Sequence, residues 1–552
     1  MERRTFLKIL SSAGIVSLVS PTFAMEVCKN KVSKSSSALL ESAFRNPPFS
    51  SGVYTWWHWM NGNITKDGIT RDLEAMKANG IAGYQLFEAG SGIPIGPVES
   101  LSDEWVDLIL HTLKESERLG LEFAMHNCPG WSSSGGPWIT PDKAMQIITW
   151  SETKITGGKQ VRIQLPTPKH MFDYYIDTYC LAIPANMKVI PRLSILELSN
   201  RLDKDGVLTW DVPTGEWLIM RFGQTAKDQK NKSAPSKSTG LDCDKFSTEA
   251  LDYHLNCMFK RLMPAMEKIA KHSKIGLLID SYETGDQDWT SDMPAYFEQS
   301  HGYELYPFLP VLANKIVESE ESTKRFLFDF RRVRADMFAE RYYGHFQKRC
   351  KEKGIITYTE PYGGNMMEEL QVAQQLDINM GEFWCGQTVL WANYKYNRTV
   401  KQVASIAHTL GGKVVGAEAF TSEPDADKWL QYPYALKSLG DYMFTRGLSR
   451  IYFHRFAHQP HPTAAPGMTM GAWGLHFDRT NTWWKPGKAW IEYLNRCQYI
   501  FQSSTFYGDI LYHNGDDSFG STIEPEQTLL APPEGYDYDM VNTEMLDKAH
   551  IK

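Results

Sequence analysis

Short apolar segments that end in a carboxylate, each followed by a helical pattern, recur along this chain. Glu88 follows IAGYQLF, Asp280 and Glu283 lie in GLLIDSYETG, Glu360 in ITYTEPYGG, Glu382 in INMGEFW and Glu418 in VVGAEAF. Apolar runs of this length predict strands buried on both faces, and strands alternating with helices predict a parallel sheet. Closed into a (β/α)8 barrel, the strands bring their C-terminal ends to one mouth, where active sites lie. Carboxylates gathered there suit a glycosidase, which needs one acid to protonate a leaving oxygen and a second to activate water or attack.

The rhythm can be followed in detail. Strands are expected at 52–60, 81–87 and 121–127, separated by helices over 66–79 and 102–119 that stop at Gly80 and Gly120. Between 147 and 225 polar and apolar residues alternate between turn signals (KITGGKQVRIQL, YIDTYCLAIP, LTWDVPTGEWLIMRFG), which predicts an antiparallel β insertion after the third strand. A polar loop at 226–243 and a helix at 247–272 follow. Strands resume at 275–280, 355–359, 378–383, 414–418 and 450–454, with a long helix over 318–353 and a last one over 483–502. The expected architecture is α/β: a TIM-like (β/α)8 barrel with an antiparallel insertion after strand 3 and an incomplete C-terminal α/β or β-rich extension. The expected boundaries are an export signal at 1–24, a linker at 25–48, barrel at 49–146 and 226–504, the insertion at 147–225, and the start of a truncated C-terminal domain at 505–552.

The first 24 residues combine a basic start, a modestly apolar stretch and a small-residue ending at Ala24, and Arg3-Arg4-Thr5-Phe6-Leu7-Lys8 resembles a twin-arginine motif. The expected location is therefore periplasmic or secreted. No later segment offers about 18 consecutive apolar residues, so no membrane span is expected after signal removal. The net charge is −7 with no basic stripe, so nucleic acid is not the expected partner. The eight Cys show no CxxC spacing and no HExxH occurs, which leaves no zinc signature. Aromatic residues make up 12% of the chain; sugar rings stack on such side chains, and so do the cores of large barrels.

Several stretches resemble glycoside hydrolase family 106, the α-L-rhamnosidases: WWHWMNGNIT (56–65), DLEAMKANGI (72–81), IPIGPV (93–98), HNCPGWSSSGGPWITPDKAMQ (126–146), GLDCDKFSTEA (240–250), DSYETG (280–285) and GAEAFTS (416–422). The resemblance spans about residues 47 to 550. It implies a (β/α)8 catalytic domain, inverting hydrolysis of α-L-rhamnosides, a rhamnose-containing glycan as partner and a calcium ion in the site, with no ligand to it identified.

Inverting glycosidases hold two carboxyls about 6.5–9.5 Å apart, one protonated and one ionised. Candidates should come from different strands and face each other across the mouth. Glu283, after strand four, and Glu418, after strand seven, meet that condition and match the family's catalytic positions; the assignment is Glu283 as general acid and Glu418 as general base. Asp280, three residues before Glu283, is expected to bond it or raise its pKa, and Glu382 to bind sugar hydroxyls or hold the water. Glu360, which precedes Pro361, and Glu88 rank lower. His58, His126 and Asn127 are candidates for bonding sugar hydroxyls, with a satisfied core histidine as the competing role for His58; His454 shares that ambiguity. The rigid turn after Asn127 could set Trp131 against a sugar face. Two other functions fit the same residues: an inactive relative that only binds glycans, and a retaining glycosidase on another sugar with carboxyls nearer about 5 Å.

Overall fold

The computed structural model describes residues 34–90, 92–271, 274–385, 390–422, 429–471, 474–516 and 530–549. The export-signal reading of 1–24 lies outside them. The described residues fall into two units, one before Phe49 and one from Phe49 onward. In the first, Lys34–Arg45 is an α-helix (α1), a correction to the linker expected at 25–48; the run SSSALLESAF contains no Gly or Pro to break it.

The second unit is built on a closed barrel of eight parallel strands. They are β1 (Tyr54–Met60), β2 (Gly83–Ala89), β3 (Glu122–His126) and, after the insertion, β9 (Ile275–Ile279), β10 (Ile356–Thr359), β11 (Ile378–Cys385), β12 (Gly416–Ser422) and β13 (Arg450–Ala457). Around the barrel the order is β1-β13-β12-β11-β10-β9-β3-β2. Helices α2 (Lys66–Asn79) and α3 (Asp103–Leu119) begin at Thr65 and Ser102, whose hydroxyls accept from the backbone N–H of Gly68 and Trp105. They end at Gly80 and Gly120, both in the left-handed conformation. The expected helix over 247–272 is two pieces, α4 (Thr248–Phe259) and α5 (Met263–Ile269), because Pro264 cannot continue a preceding helix.

The insertion after β3 holds β4 (Gln146–Thr156), β5 (Lys159–Gln164), β6 (Ile176–Pro184), β7 (Val207–Val212) and β8 (Glu216–Ala226). β8 pairs antiparallel with β4 and β6, and β7 with β5. Beyond the barrel, β14 (Ile510–His513) and β15 (Tyr538–Val541) form a parallel pair. This segment is docked rather than free-standing: Tyr538, Met540 and Val541 pack with Leu370, Ala373 and Ile406, and Asp539 bonds His408, both Ile406 and His408 lying on α6 (Leu390–Leu410).

Two apolar layers follow from the pleat. One side of each strand packs against the helices, in a core that includes Trp57, Tyr84, Leu277 and Phe453. The other side fills the barrel with Tyr54, Trp56, Phe87, Ala124, Leu278, Tyr358, Met380 and Tyr452. On β12 the corresponding position is Gly416, where a Cβ would meet Met380 Cγ at 2.6 Å; the glycine makes room for the interior Met. Among the described residues no helix is long and apolar enough to cross a membrane.

Candidate active site

The interior residues continue upward as polar groups. One pleat above the Leu278, Tyr358, Met380 and Gly416 layer stand Asp280, Glu360, Glu382 and Glu418, all buried. Glu382 and Glu418 are direct neighbours across the β11–β12 ladder. Both lie within their strands, not at the ends as expected. The ladder slips between Phe383 and Trp384, where Phe420 on β12 takes φ +61°, and the strands run on to Cys385 and Ser422.

Crowded negative charge in a buried place resists ionisation. Asp280, Glu360 and Glu418 are all pushed well above the usual carboxylate range, by burial first and by their acidic neighbours next. For Glu418 the largest neighbouring charge is Glu382, followed by Asp280 and Glu283. Among the described residues nothing donates a hydrogen bond to the buried Asp280 Oδ1 or Glu360 Oε1. The two carboxyls are neighbours whose titrations affect each other. The second Glu360 oxygen accepts from Tyr362 Oη at 2.6 Å.

Glu283 differs in kind. It is 39% exposed, and its Oε2 accepts from Trp131 Nε1 at 3.0 Å and from Lys232 Nζ at 2.6 Å. The turn that carries Trp131 is packed backbone against backbone. Trp131 N–H donates to Lys232 O at 3.1 Å, and Gly130, at φ +84°, approaches so closely that a Cβ would lie 2.2 Å from Lys232 O. Trp131 therefore stands beside Glu283.

Glu418 Oε1 accepts from the Thr421 hydroxyl and stands 3.3 Å from His454 Nδ1. Burial, with Arg455 and His476 adding to it, holds His454 well below the usual imidazole range, so it meets Glu418 as a neutral ring. His58 is also held neutral by burial and by His454 and Arg455; it stacks on Phe87 with centroids 5.2 Å apart, and among the described residues its Nδ1 has no hydrogen-bond partner. Glu382 Oε1 accepts from Trp384 Nε1.

A profile of the family described as alpha-L-rhamnosidase, glycoside hydrolase 106, matches residues 45–179 and 169–551. A protein of Formosa agariphila named "Putative beta-glucuronidase" is 39% identical, the match covering 93% of this chain and 46% of the relative. The chain belongs to glycoside hydrolase family 106. The rhamnosidase structure from Novosphingobium sp. PP1Y shares the fold, with a TM-score of 0.83 at 24% identity over 92% of this chain and 64% of that one. The chain thus spans about half the length of the curated relative and under two thirds of the solved structure.

Two candidates in this family 106 chain are committed elsewhere. His126 uses Nδ1 on Cys128 O at 2.7 Å and Nε2 on Ser133 Oγ at 3.0 Å. Asn127 donates to Leu278 O at 2.8 Å and accepts from Ser134 Oγ at 2.7 Å. Both hold the 128–134 turn in shape, a correction to their reading as sugar ligands: a residue leading into a rigid turn spends its polar atoms on that turn. Glu88 is also outside the cluster. It has the opposite pleat parity to Phe87, so it faces away from the barrel interior, accepting from Ser100 Oγ at 2.7 Å, and burial raises it to about 7. Glu88→Gln is expected to change kcat less than about threefold; abolished turnover would put Glu88 in the mechanism. Glu360 stands with the main cluster rather than with Glu88; its parity with Tyr358, which faces inward, is the signal that marks it. Lys232 sits in a polar loop with no periodicity, and nothing in the sequence points to it.

Proposed function

We propose that this protein is an exported glycoside hydrolase that removes terminal α-L-rhamnosyl residues from plant polysaccharides or glycosides with inversion at the anomeric carbon. The observation that carries this reading is the pair Glu283 and Glu418. They come from segments about 135 positions apart, the Glu283 charge is among those that raise Glu418, and they bond to different partners, with no hydrogen bond between them among the described residues. Two carboxyls that interact without touching are what inversion uses to seat a water between them.

Glu283 is the general acid of this reading. It lies at the rim, where it can meet a glycosidic oxygen and recover its proton from solvent. Lys232 must leave Oε2 before that oxygen carries a proton, and its half-exposed ammonium on a polar loop is free to do so. Glu418, once ionised, is the base that draws a proton from water on the opposite face of the sugar, with Thr421 and neutral His454 beside its Oε1; because its acidic neighbours hold its pKa up, this role requires a positive charge beside them to offset theirs. Trp131 and Glu382 line the space for the sugar. An N-terminal export signal and a periplasmic or secreted location complete the reading.

The family resemblance also implies calcium. Asp280 Oδ1 and Glu360 Oε1 are buried acid oxygens lacking donors, which is the ligand chemistry a hard cation takes, although among the described residues no three His, Cys, Asp or Glu side chains form a metal group. Asp280 and Glu360 would hold the ion. When bound it would offset the carboxylate charge and attract sugar hydroxyls. Adding calcium to chelated protein is then expected to raise its melting temperature; an unchanged melt would remove the ion from the site.

Hydrolysis of an aryl α-L-rhamnoside followed by NMR tests the function. The β-anomer of rhamnose should appear first. The α-anomer would show retention, and binding without turnover would show a glycan-binding relative. The name of the Formosa agariphila relative favours a second substrate, a β-glucuronoside, and the aryl glucuronide belongs in the same assay.

A further inference from the structure

A short segment outside the acidic cluster is tied to every loop that meets the Glu283 carboxyl. It is GLDCDKF, residues 240–246, the start of one of the stretches that resemble family 106, and Leu241 to Phe246 are all buried. It holds the turn that carries Trp131 in three ways. Leu241 and Asp242 pair antiparallel with Gly136 and Gly135, Cys243 N–H donates to Ser134 O at 3.0 Å, and Lys245 Nζ donates to Ser133 O at 2.6 Å. The loop that carries Lys232 is held by Asn231 N–H, which donates to Gly240 O at 3.1 Å, and by Asp242 N–H, which donates to Gln229 O at 2.9 Å. The segment that carries Glu283 is held through side chains. Lys245 N–H donates to Gln287 Oε1 at 3.0 Å, Gln287 Nε2 donates to Asp244 Oδ1, and Thr290 Oγ1 donates to Asp244 Oδ2 at 2.8 Å.

Trp131 and Lys232 both donate to Glu283 Oε2. The backbones behind the carboxyl and behind both of its donors are thus referred to one rigid piece of chain. The charges in that piece are unusual. Lys245 Nζ stands 3.5 Å from Asp242 Oδ1, and neither side chain reaches water. Withdrawing two ions from water offsets much of their attraction, so a buried pair is a weak source of stability. What the ammonium supplies that an apolar side chain cannot is a donor aimed at the Ser133 carbonyl. A general acid works only within hydrogen-bond reach of the oxygen it protonates, and a misplacement of about 1 Å can slow a reaction about 10²-fold.

We propose that Asp244 and Lys245 are positioning residues for the acid: together they fix where Glu283 stands relative to Trp131. The inference rests on the reading of Glu283 as general acid, and both residues act through that carboxyl rather than on the sugar.

The test uses the full chain and two substrates: an alkyl α-L-rhamnoside, whose leaving alcohol needs a proton, and an aryl one whose phenolate departs without it. Lys245→Met/Asp242→Asn removes both buried charges together, so neither is left alone. In this variant kcat on the alkyl rhamnoside should fall by up to about 10²-fold with KM little changed, and kcat on the aryl rhamnoside should fall far less. Asp244→Asn, which keeps the shape and gives up one acceptor, should show a smaller split in the same direction, and it decides the matter if the double variant does not fold. In a Glu283→Gln background the double substitution should cost nothing further on the alkyl rhamnoside. Equal losses on the two substrates, or losses that multiply with Glu283→Gln, would mean a merely structural role and overturn the proposal. A readout free of turnover is fluorine NMR of fluorotryptophan-labelled protein, with the Trp131 resonance assigned as the one that Trp131→Phe removes. It should shift or broaden in the double variant and in Asp244→Asn; an unmoved resonance would refute the clamp. If neither rhamnoside is hydrolysed by the wild type, the hydrolase reading fails separately and this spectrum still decides the positioning.

Discussion

Glu418→Gln is expected to lower turnover of rhamnosides by about 10²–10⁴-fold, the range that general acid–base groups contribute, while the protein stays folded. Glu283→Gln should do the same on natural glycosides but far less on aryl rhamnosides with good leaving groups, which depart without a proton. That contrast separates the two roles, and a wild-type rate in either variant would take its residue out of the mechanism. Stability should move the other way. The pKa of Glu418 is raised in the folded state by burial and the Glu382 charge. A raised carboxyl contributes stability that is fully present below its unfolded value and is lost as pH rises through the folded one. Gln cannot ionise, so Glu418→Gln should match wild type in mild acid and melt higher than wild type in mild alkali. A lower melt in alkali would show that the carboxylate is stabilised there, as a bound cation would do.

Asp72→Ala is expected to cost about 3–5 kcal/mol of folding stability, the usual loss when one member of a buried ionic network is removed. Asp72 is fully buried on α2. Its Oδ2 accepts from His458 Nδ1 at 2.7 Å, Gln459 N–H at 3.0 Å and Trp57 Nε1 at 3.2 Å; its Oδ1 accepts from Arg479 Nε at 2.7 Å. This one carboxylate ties β1 and α2 to the long connection after β13. Without it the Arg479 guanidinium keeps carbonyl oxygens but loses its carboxylate, and the buried Trp57 indole N–H loses its acceptor. Denaturant titration of the single variants and the Asp72→Ala/Arg479→Met pair would measure the network. Additive losses would show that Asp72 and Arg479 do not act together.

The barrel was legible because its period is imposed by chemistry. Strands buried on both faces must be apolar throughout, and helices between them need caps, so YTWWHWM and IGLLI stand out between Thr65, Gly80, Ser102 and Gly120. The acidic cluster was legible by position along the strand, but the sharper signal was parity. Phe87 and Tyr358 fill the interior, so Glu88, one residue on from Phe87, turns out, and Glu360, two residues on from Tyr358, turns in. The position of Glu382 and Glu418 within their strands was hidden because a slipped ladder has no composition of its own. His126 and Asn127 misled because a polar side chain beside a mouth looks the same in sequence whether it serves a ligand or a turn. Lys232 was illegible for a related reason: its partner Glu283 lies 51 positions away, on a different element.

The barrel seam lies between β1 and β13, where Thr55 bonds Phe453 across 398 positions of chain. Until ribosomes have delivered the segment near 457, the first strand has one open flank whose amide groups lack mates, and such bare edges recruit other chains. Pieces of this protein that stop short of that seam should clump rather than fold, so any dissection of the catalytic half has to keep both ends of the ring together.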